Sequence, residues 1–186
     1  MSLHHQIVNG IDFRKRNTNG GFITKNYPEK DPEIITGRDV FTYLYVNLKK
    51  DLEFVSFELI EDEYSCHYKR AQEDFGHYFR NLYRIIKLVD ETDFNFDNKS
   101  DSEFSVFLIK YKYTSIIRAQ ISDYELLWLF YNCISKNGRL KFKPLIEKYS
   151  VLKNISFDEL ANEKHRKFYN ESAYKKLLIK HADQSK

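Results

Sequence analysis

The stretch Leu126-Leu127-Trp128-Leu129-Phe130-Tyr131, continued by Cys133 and Ile134, most limits what this chain can become. Ser122-Asp123-Tyr124-Glu125, just before it, is a capping box, in which the N-cap hydroxyl and the carboxylate three residues on satisfy backbone amides reciprocally. The pattern predicts a helix over 123–136. At about 100° per residue its apolar side chains cover nearly the whole circumference. Such a helix has no face to give to water, so it must form the buried centre of a set of helices. Asn137-Gly138 follows as the expected left-handed stop.

Helical spacing recurs along most of the chain. Val40, Phe41, Leu44, Tyr45 and Leu48 follow Thr36-Gly37-Arg38-Asp39, a start signal with a hydroxyl before the run and an acid three residues on. Phe75, Phe79, Leu82, Ile86 and Val89 form one apolar stripe over 73–90, with His77, Arg80, Arg84 and Lys87 opposite, although Gly76 is a candidate break. Ser100-Asp101-Ser102-Glu103 caps a helix expected over 103–121, with Phe104, Phe107, Leu108 and Tyr111 on its stripe. Pro144 suits a first helical turn, and Ser156-Phe157-Asp158-Glu159 is another capping box. Leu3, Ile7 and Ile11 continue the pattern into residues 1–13. Only 6 Gly and 3 Pro leave little turn chemistry for a many-stranded sheet. The expectation is an all-α, single-domain helical bundle of about five to seven helices spanning 1–186. It comprises an N-terminal helix at 1–13 that reads as cut from a longer chain, an irregular loop at about 14–36, a core bundle at 37–155 and a basic helical tail at 156–186.

Charge and cysteine content narrow the function classes without naming one. The net charge of +3 is too small to mark a nucleic-acid binder. Its distribution is uneven: residues 136–186 hold 13 Lys and Arg against 6 Asp and Glu, a candidate contact surface or a solvated helical face. Cys66 and Cys133 stand alone, without the paired spacing of a disulfide framework or zinc knuckle, which fits a reducing compartment. No apolar run approaches the roughly 20 residues a membrane-spanning helix needs, so the chain as given is expected to be cytoplasmic.

Few residues carry a chemical signal. Arg118 falls on the apolar stripe of its helix, seven residues after Tyr111 and eleven after Phe107, where a guanidinium must find an acceptor. Glu125 is the expected partner, forming a structural buried pair; a role for Arg118 in catalysis is the alternative. His77 with Arg80 could bind phosphate or act on RNA, the imidazole as acid or base and the guanidinium stabilising charge. Arg70 precedes His77 with six residues between, which resembles the loose Arg…His spacing of HEPN-superfamily nucleases, helical proteins that dimerise to assemble such a pair. Ala71 stands where those nucleases usually carry a polar residue, and a solvated face explains the same residues. His4, His5, His67, His165 and His181 lack metal-ligand spacing and read as surface residues. No phosphate-binding glycine loop, metalloprotease motif or nucleophile elbow is present, and no metal or cofactor is expected.

Two longer stretches stand out. One is Gly76-His77-Tyr78-Phe79-Arg80-Asn81-Leu82-Tyr83. The other comprises Tyr113, Ile116-Ile117-Arg118-Ala119-Gln120-Ile121-Ser122, Glu125-Leu126 and Leu129-Phe130-Tyr131-Asn132. Together they resemble the phage abortive infection family, the AbiC-like proteins of bacteria. The resemblance covers roughly residues 4–155. It implies a bacterial antiphage defence role, with many relatives carrying membrane helices upstream, so that the full-length protein would be anchored to the inner membrane. Three readings follow. The first is a soluble sensor or interaction domain for a phage or host protein or RNA component, acting through homo-oligomers or a partner. The second is a HEPN-like RNase with His77, Arg80, Arg70 or Arg118 at its site. The third is a non-enzymatic bundle docking its basic C-terminal region on nucleic acid or an anionic membrane.

Overall fold

The computed structural model describes residues 3–14, 34–94 and 103–175. Seven α-helices are found there: α1 (Leu3–Asn9), α2 (Arg38–Glu53), α3 (Ile60–Tyr68), α4 (Gln72–Glu91), α5 (Glu103–Arg118), α6 (Asp123–Ile134) and α7 (Lys143–Lys148). The all-α expectation holds. Short strands β1 (Asp12–Arg14) and β2 (Ile34–Thr36) pair antiparallel, with Phe13 opposite Ile35. The ends of the expected loop are therefore a two-stranded ribbon, and the first helix stops at Asn9 rather than continuing to Phe13. Thr36 lies in β2 and caps nothing; Gly37, at φ 63°, turns the chain into α2 in a conformation that favours glycine. The interior of that loop, the Ser100 capping box and residues 176–186 lie outside the described residues, as do the side chains of His4, His5 and His181.

Helix α6 is the centre of the bundle. Every side chain from Glu125 to Cys133 is buried. The Ser122 N–H donates to Glu125 Oε2 at 2.6 Å, one half of the capping box that starts the helix. Trp128 packs edge-on against Phe75 with ring centres 4.9 Å apart, and Phe75 stacks on Phe41 at 4.5 Å. Its indole N–H donates to the Phe41 carbonyl at 3.0 Å, so a buried donor is satisfied by α2. Asn132 donates to the Tyr64 hydroxyl of α3 at 2.9 Å. The helix ends at Ile134, with Ser135 extended, and Gly138 does not supply the expected left-handed cap. Gly138 is needed for closeness instead: a Cβ there would lie 2.8 Å from the Cys133 Cα and 3.0 Å from the Asn132 carbonyl oxygen.

Helix α4 carries the anticipated stripe, with Phe75, Phe79, Leu82 and Ile86 buried and Val89 half-buried, and it runs unbroken through Gly76. Helix α5 packs more loosely; among its residues only Thr114 and Arg118 are buried. Arg118 thus occupies the expected interior position, but its acceptors are different. Its guanidinium donates to the carbonyls of Ser150 at 3.0 Å and Tyr149 at 3.4 Å, and lies 5.6 Å from the Tyr111 ring centre. Those carbonyls follow the end of α7, where the chain reverses through Ser150 at φ 50°. A helix terminus leaves such acceptors unfilled, and a cation is the favourable donor to them. Glu125 pairs with Arg38 at 3.6 Å instead, while Arg38 also donates to the Gln120 carbonyl at 2.9 Å. Arg118 with Glu125 is therefore not the ion pair that locks α5 to α6.

Residues 151–175, which include the described part of the expected helical tail at 156–186, are not α-helical. They form four short 3-10 turns, and the apolar residues Leu160, Ala161, Tyr169, Ala173 and Tyr174 in or beside these turns are buried. Phe157–Glu159 makes one such turn and Ser156 offers no side-chain cap. Tertiary bonds override the local signal: the Ala161 N–H donates to the Tyr131 hydroxyl at 3.1 Å and the Tyr169 hydroxyl to the Phe130 carbonyl at 2.7 Å. This segment covers the side of α6 left open by α2, α3 and α4.

Two outcomes follow for stability. Arg118→Ala removes the charged donor from two buried carbonyls and should destabilise the protein by about 3 kcal/mol in urea unfolding; a loss below about 1 kcal/mol would contradict the carbonyl clamp. His165 is buried and its Nδ1 lies 3.0 Å from the Tyr131 hydroxyl, and burial pushes its pKa down to about 4. The unfolded ring, near 6.5, takes the proton first, so this contribution is complete above about 6.5 and is lost as pH falls toward about 4. Urea midpoints should therefore drop between about pH 7 and pH 5, and drop less in His165→Phe. Equal slopes for the two proteins would refute a neutral, buried ring.

Candidate functional site

Helices α3 and α4 are joined by a single 3-10 turn, Lys69–Ala71. This turn and the first turns of α4 face the loop that leaves α6 at Lys136. The Lys136 N–H donates to Glu61 Oε1 at 2.8 Å and Arg139 pairs with Glu61 Oε2 at 3.2 Å, which ties the loop to α3. Between these walls lies an open cleft of about 680 Å³, lined by Tyr68, Lys69, Glu73, His77, Arg80 and Lys136 among others. Three permanent cations thus share the cleft with one carboxylate.

The phase of α4 explains why His77 and Arg80 reach this cleft. Phe75, Tyr78, Phe79 and Leu82 turn inward, so positions 77 and 80 face out, and both are exposed. Gly76 lacks a side chain beneath Arg80: a Cβ there would meet both the Arg80 guanidinium and the Tyr68 hydroxyl at 3.3 Å. The guanidinium can therefore lie back over its own helix toward Tyr68. Tyr68 stacks on Tyr64 with ring centres 5.6 Å apart and is half-buried. Burial raises its hydroxyl pKa and the Arg80 charge opposes that rise. Among the described residues, no carboxylate forms an ion pair with Lys69, Arg80 or Lys136. Their charge remains available to an anion.

The other candidates fall elsewhere. Arg70 is exposed on the 3-10 turn and does not line the cleft, and Arg118 is locked against the end of α7. The structure brings together His77 and Arg80, and separates both from Arg118. Two histidines expected at the surface are buried. His165 packs against Tyr131, and His67, 4% exposed, turns Nε2 to Asp51 Oδ2 at 2.7 Å and to Glu63 Oε1 at 3.5 Å. Asp51, Glu63 and His67 are also the group among the described residues whose donor atoms could converge on a metal ion. Lys69 and Lys136 escape a reading by helix phase because they lie on a turn and a loop. The Glu63…His67 step of four is a signal that was available in the sequence.

Local pairing also changes the picture of the basic C-terminal third. Lys143 pairs with Glu147, Arg166 with Glu171, and Lys148 with Asp90 at 2.6 Å. Burial alone would raise the Asp90 pKa; hydrogen bonds from Lys148 and Tyr149, with the charges of Lys148 and Lys110, outweigh it and hold the carboxyl below the usual range. Asp90 and Glu61, which lie outside this third of the chain, answer Lys148 and Arg139, and the rest of the local excess charge is not met by these pairs. No helix among the described residues is long and apolar enough to cross a membrane.

Comparison with known proteins agrees with the resemblance over a shorter range. Residues 70–160 match a family model described as putative phage abortive infection protein. The match opens at the turn before α4 and runs through α7 into the 3-10 segment, so it contains His77, Arg80, Lys136, Arg118 and Glu125. No curated protein and no solved structure matches the chain.

Proposed function

We propose, from the match of residues 70–160 to the phage abortive infection family model, that this chain is the sensing domain of a bacterial antiphage defence. In this reading it recognises RNA of phage or host in the cleft between α3, α4 and the Lys136 loop. The observation that carries the reading is the convergence of Lys69, Arg80 and Lys136, without ion pairs among the described residues, beside the Tyr68 ring. Cations in such a groove track the phosphate backbone. Recognition would then be passed on by a partner or by further copies of the chain, with an upstream segment holding the full-length protein at the inner membrane.

A second reading is favoured by one specific observation: His77 and Arg80 line the same cleft. In an RNase, His77 would take the 2′-hydroxyl proton while Arg80 stabilises charge on the scissile phosphate. The HEPN resemblance would require a second copy to complete that site. Sensing needs the cations alone; cleavage needs the imidazole as well.

Phage plating and RNA binding test both. Cells expressing the full-length gene should show reduced plaque numbers for some phages in a broad panel, and Arg80→Ala should restore them. Unchanged plating across the panel would remove the defence role. A labelled single-stranded RNA should bind with an affinity that falls with salt, and each of Lys69→Ala, Arg80→Ala and Lys136→Ala should reduce the logarithmic slope by about 0.7. Binding that ignores salt would place recognition elsewhere. RNA degradation that is lost in His77→Ala would favour the nuclease over the sensor.

A further inference from the structure

At the corner where α2 turns into α3, three potential ligands meet that do not line the cleft between α3, α4 and the Lys136 loop. Asp51 lies in the last turns of α2, while Glu63 and His67 sit four residues apart on α3 and therefore on one face of that helix. Their donor atoms all lie within 4.8 Å of one another. His67 is almost fully buried, so its ring orientation is fixed, and only its Nε2 edge is turned to the two carboxylates. Asp51 and Glu63 are 53% and 35% exposed, so water can reach the point of convergence.

His67 is the basic side chain that both acids meet at this corner, and it can answer at most one of their two charges. Two carboxylates converge on one ring nitrogen, which can share at most one proton along its axis. No lysine or arginine among the described residues pairs with either acid. A divalent cation would neutralise both carboxylates at once and accept the imidazole lone pair, releasing to water the proton that Nε2 shares with Asp51. One nitrogen with two carboxylate oxygens is a donor set for borderline ions rather than for calcium or magnesium, which take oxygen ligands. Ligand atoms around a tetrahedral zinc stand about 3.3 Å apart. The observed 2.7 Å and 3.5 Å separations bracket that spacing, and the exposed Asp51 side chain is free to make the adjustment.

We propose that Asp51, Glu63 and His67 bind one zinc-class divalent ion, which ties α2 to α3 and keeps open coordination positions toward solvent. The site stands apart from the family-based reading, because Asp51, Glu63 and His67 all precede the matched residues 70–160.

The test uses the full chain without an affinity tag, stripped by a chelator and titrated with Zn²⁺ alone by calorimetry, with melting followed in parallel. The expected result is one ion per chain, a melting temperature that rises with Zn²⁺, and a visible absorption band when Co²⁺ takes its place. Asp51→Asn and Glu63→Gln, both at solvent-facing positions, should each weaken binding by about tenfold or more and remove the thermal shift. His67→Gln should abolish the Co²⁺ band; should that variant fail to fold, the two carboxylate variants decide. Three results would overturn the proposal: no Zn²⁺ bound by the wild type, equal binding in Asp51→Asn, or Mg²⁺ bound as tightly as Zn²⁺.

Discussion

Helix α6 has no side turned to water, and a helix so placed exists only if other chain covers it on every side. That requirement organises the molecule. Helices α2, α3 and α4 supply one flank through Phe41, Tyr64 and Phe75, and residues 151–175 supply another through Tyr169 and Ala161. The helix also brings polar atoms inside, and each needs a partner there because an unfilled buried donor or acceptor is costly. Trp128 finds the Phe41 carbonyl, Asn132 the Tyr64 hydroxyl, and the Tyr131 hydroxyl receives the Ala161 amide. These bonds fix how α2, α3 and the C-terminal segment approach α6. Hydrophobic burial drives the assembly, but directional bonds at its polar tips set the geometry.

The cleft inherits its shape from that geometry. Burying Phe75, Tyr78 and Phe79 leaves His77 and Arg80 no direction but outward. Burying the end of α6 sends the chain out through Lys136, where Glu61 catches the loop and swings the lysine toward α4. The cations are thus gathered by packing elsewhere rather than by attraction to one another, since like charges in one groove repel. A surface of this kind is stable without its ligand and is available to an anion on arrival.

Signals carried within one or two helical turns were legible in the amino-acid order. The apolar stripe of α4, the all-round burial of α6, the Ser122 capping box and Pro144 at the start of α7 all belong to that class. So does the burial of Arg118, which follows from helix phase alone. Its acceptors were not legible, because the carbonyls of Tyr149 and Ser150 belong to the backbone and carry no residue label. Glu125 was correctly placed inside but met Arg38, 87 positions earlier, through the folding of α2 onto α6. His67 and His165 were misplaced for the same reason: their partners Asp51 and Tyr131 lie 16 and 34 residues away. At Ser156 the local signal for a helix was present, and long-range bonds to α6 prevailed.

The central claim is that α6 locks the frame and that the cleft charges are carried by it without supporting it. Native-state hydrogen exchange tests this most directly, in the wild type and in a Lys69→Ala, Arg80→Ala, Lys136→Ala variant. The account predicts that amides of Leu127 to Tyr131 are among the slowest to exchange in both proteins, opening only with global unfolding. Fast local exchange along α6, or protection there that collapses when the three charges are removed, would contradict it.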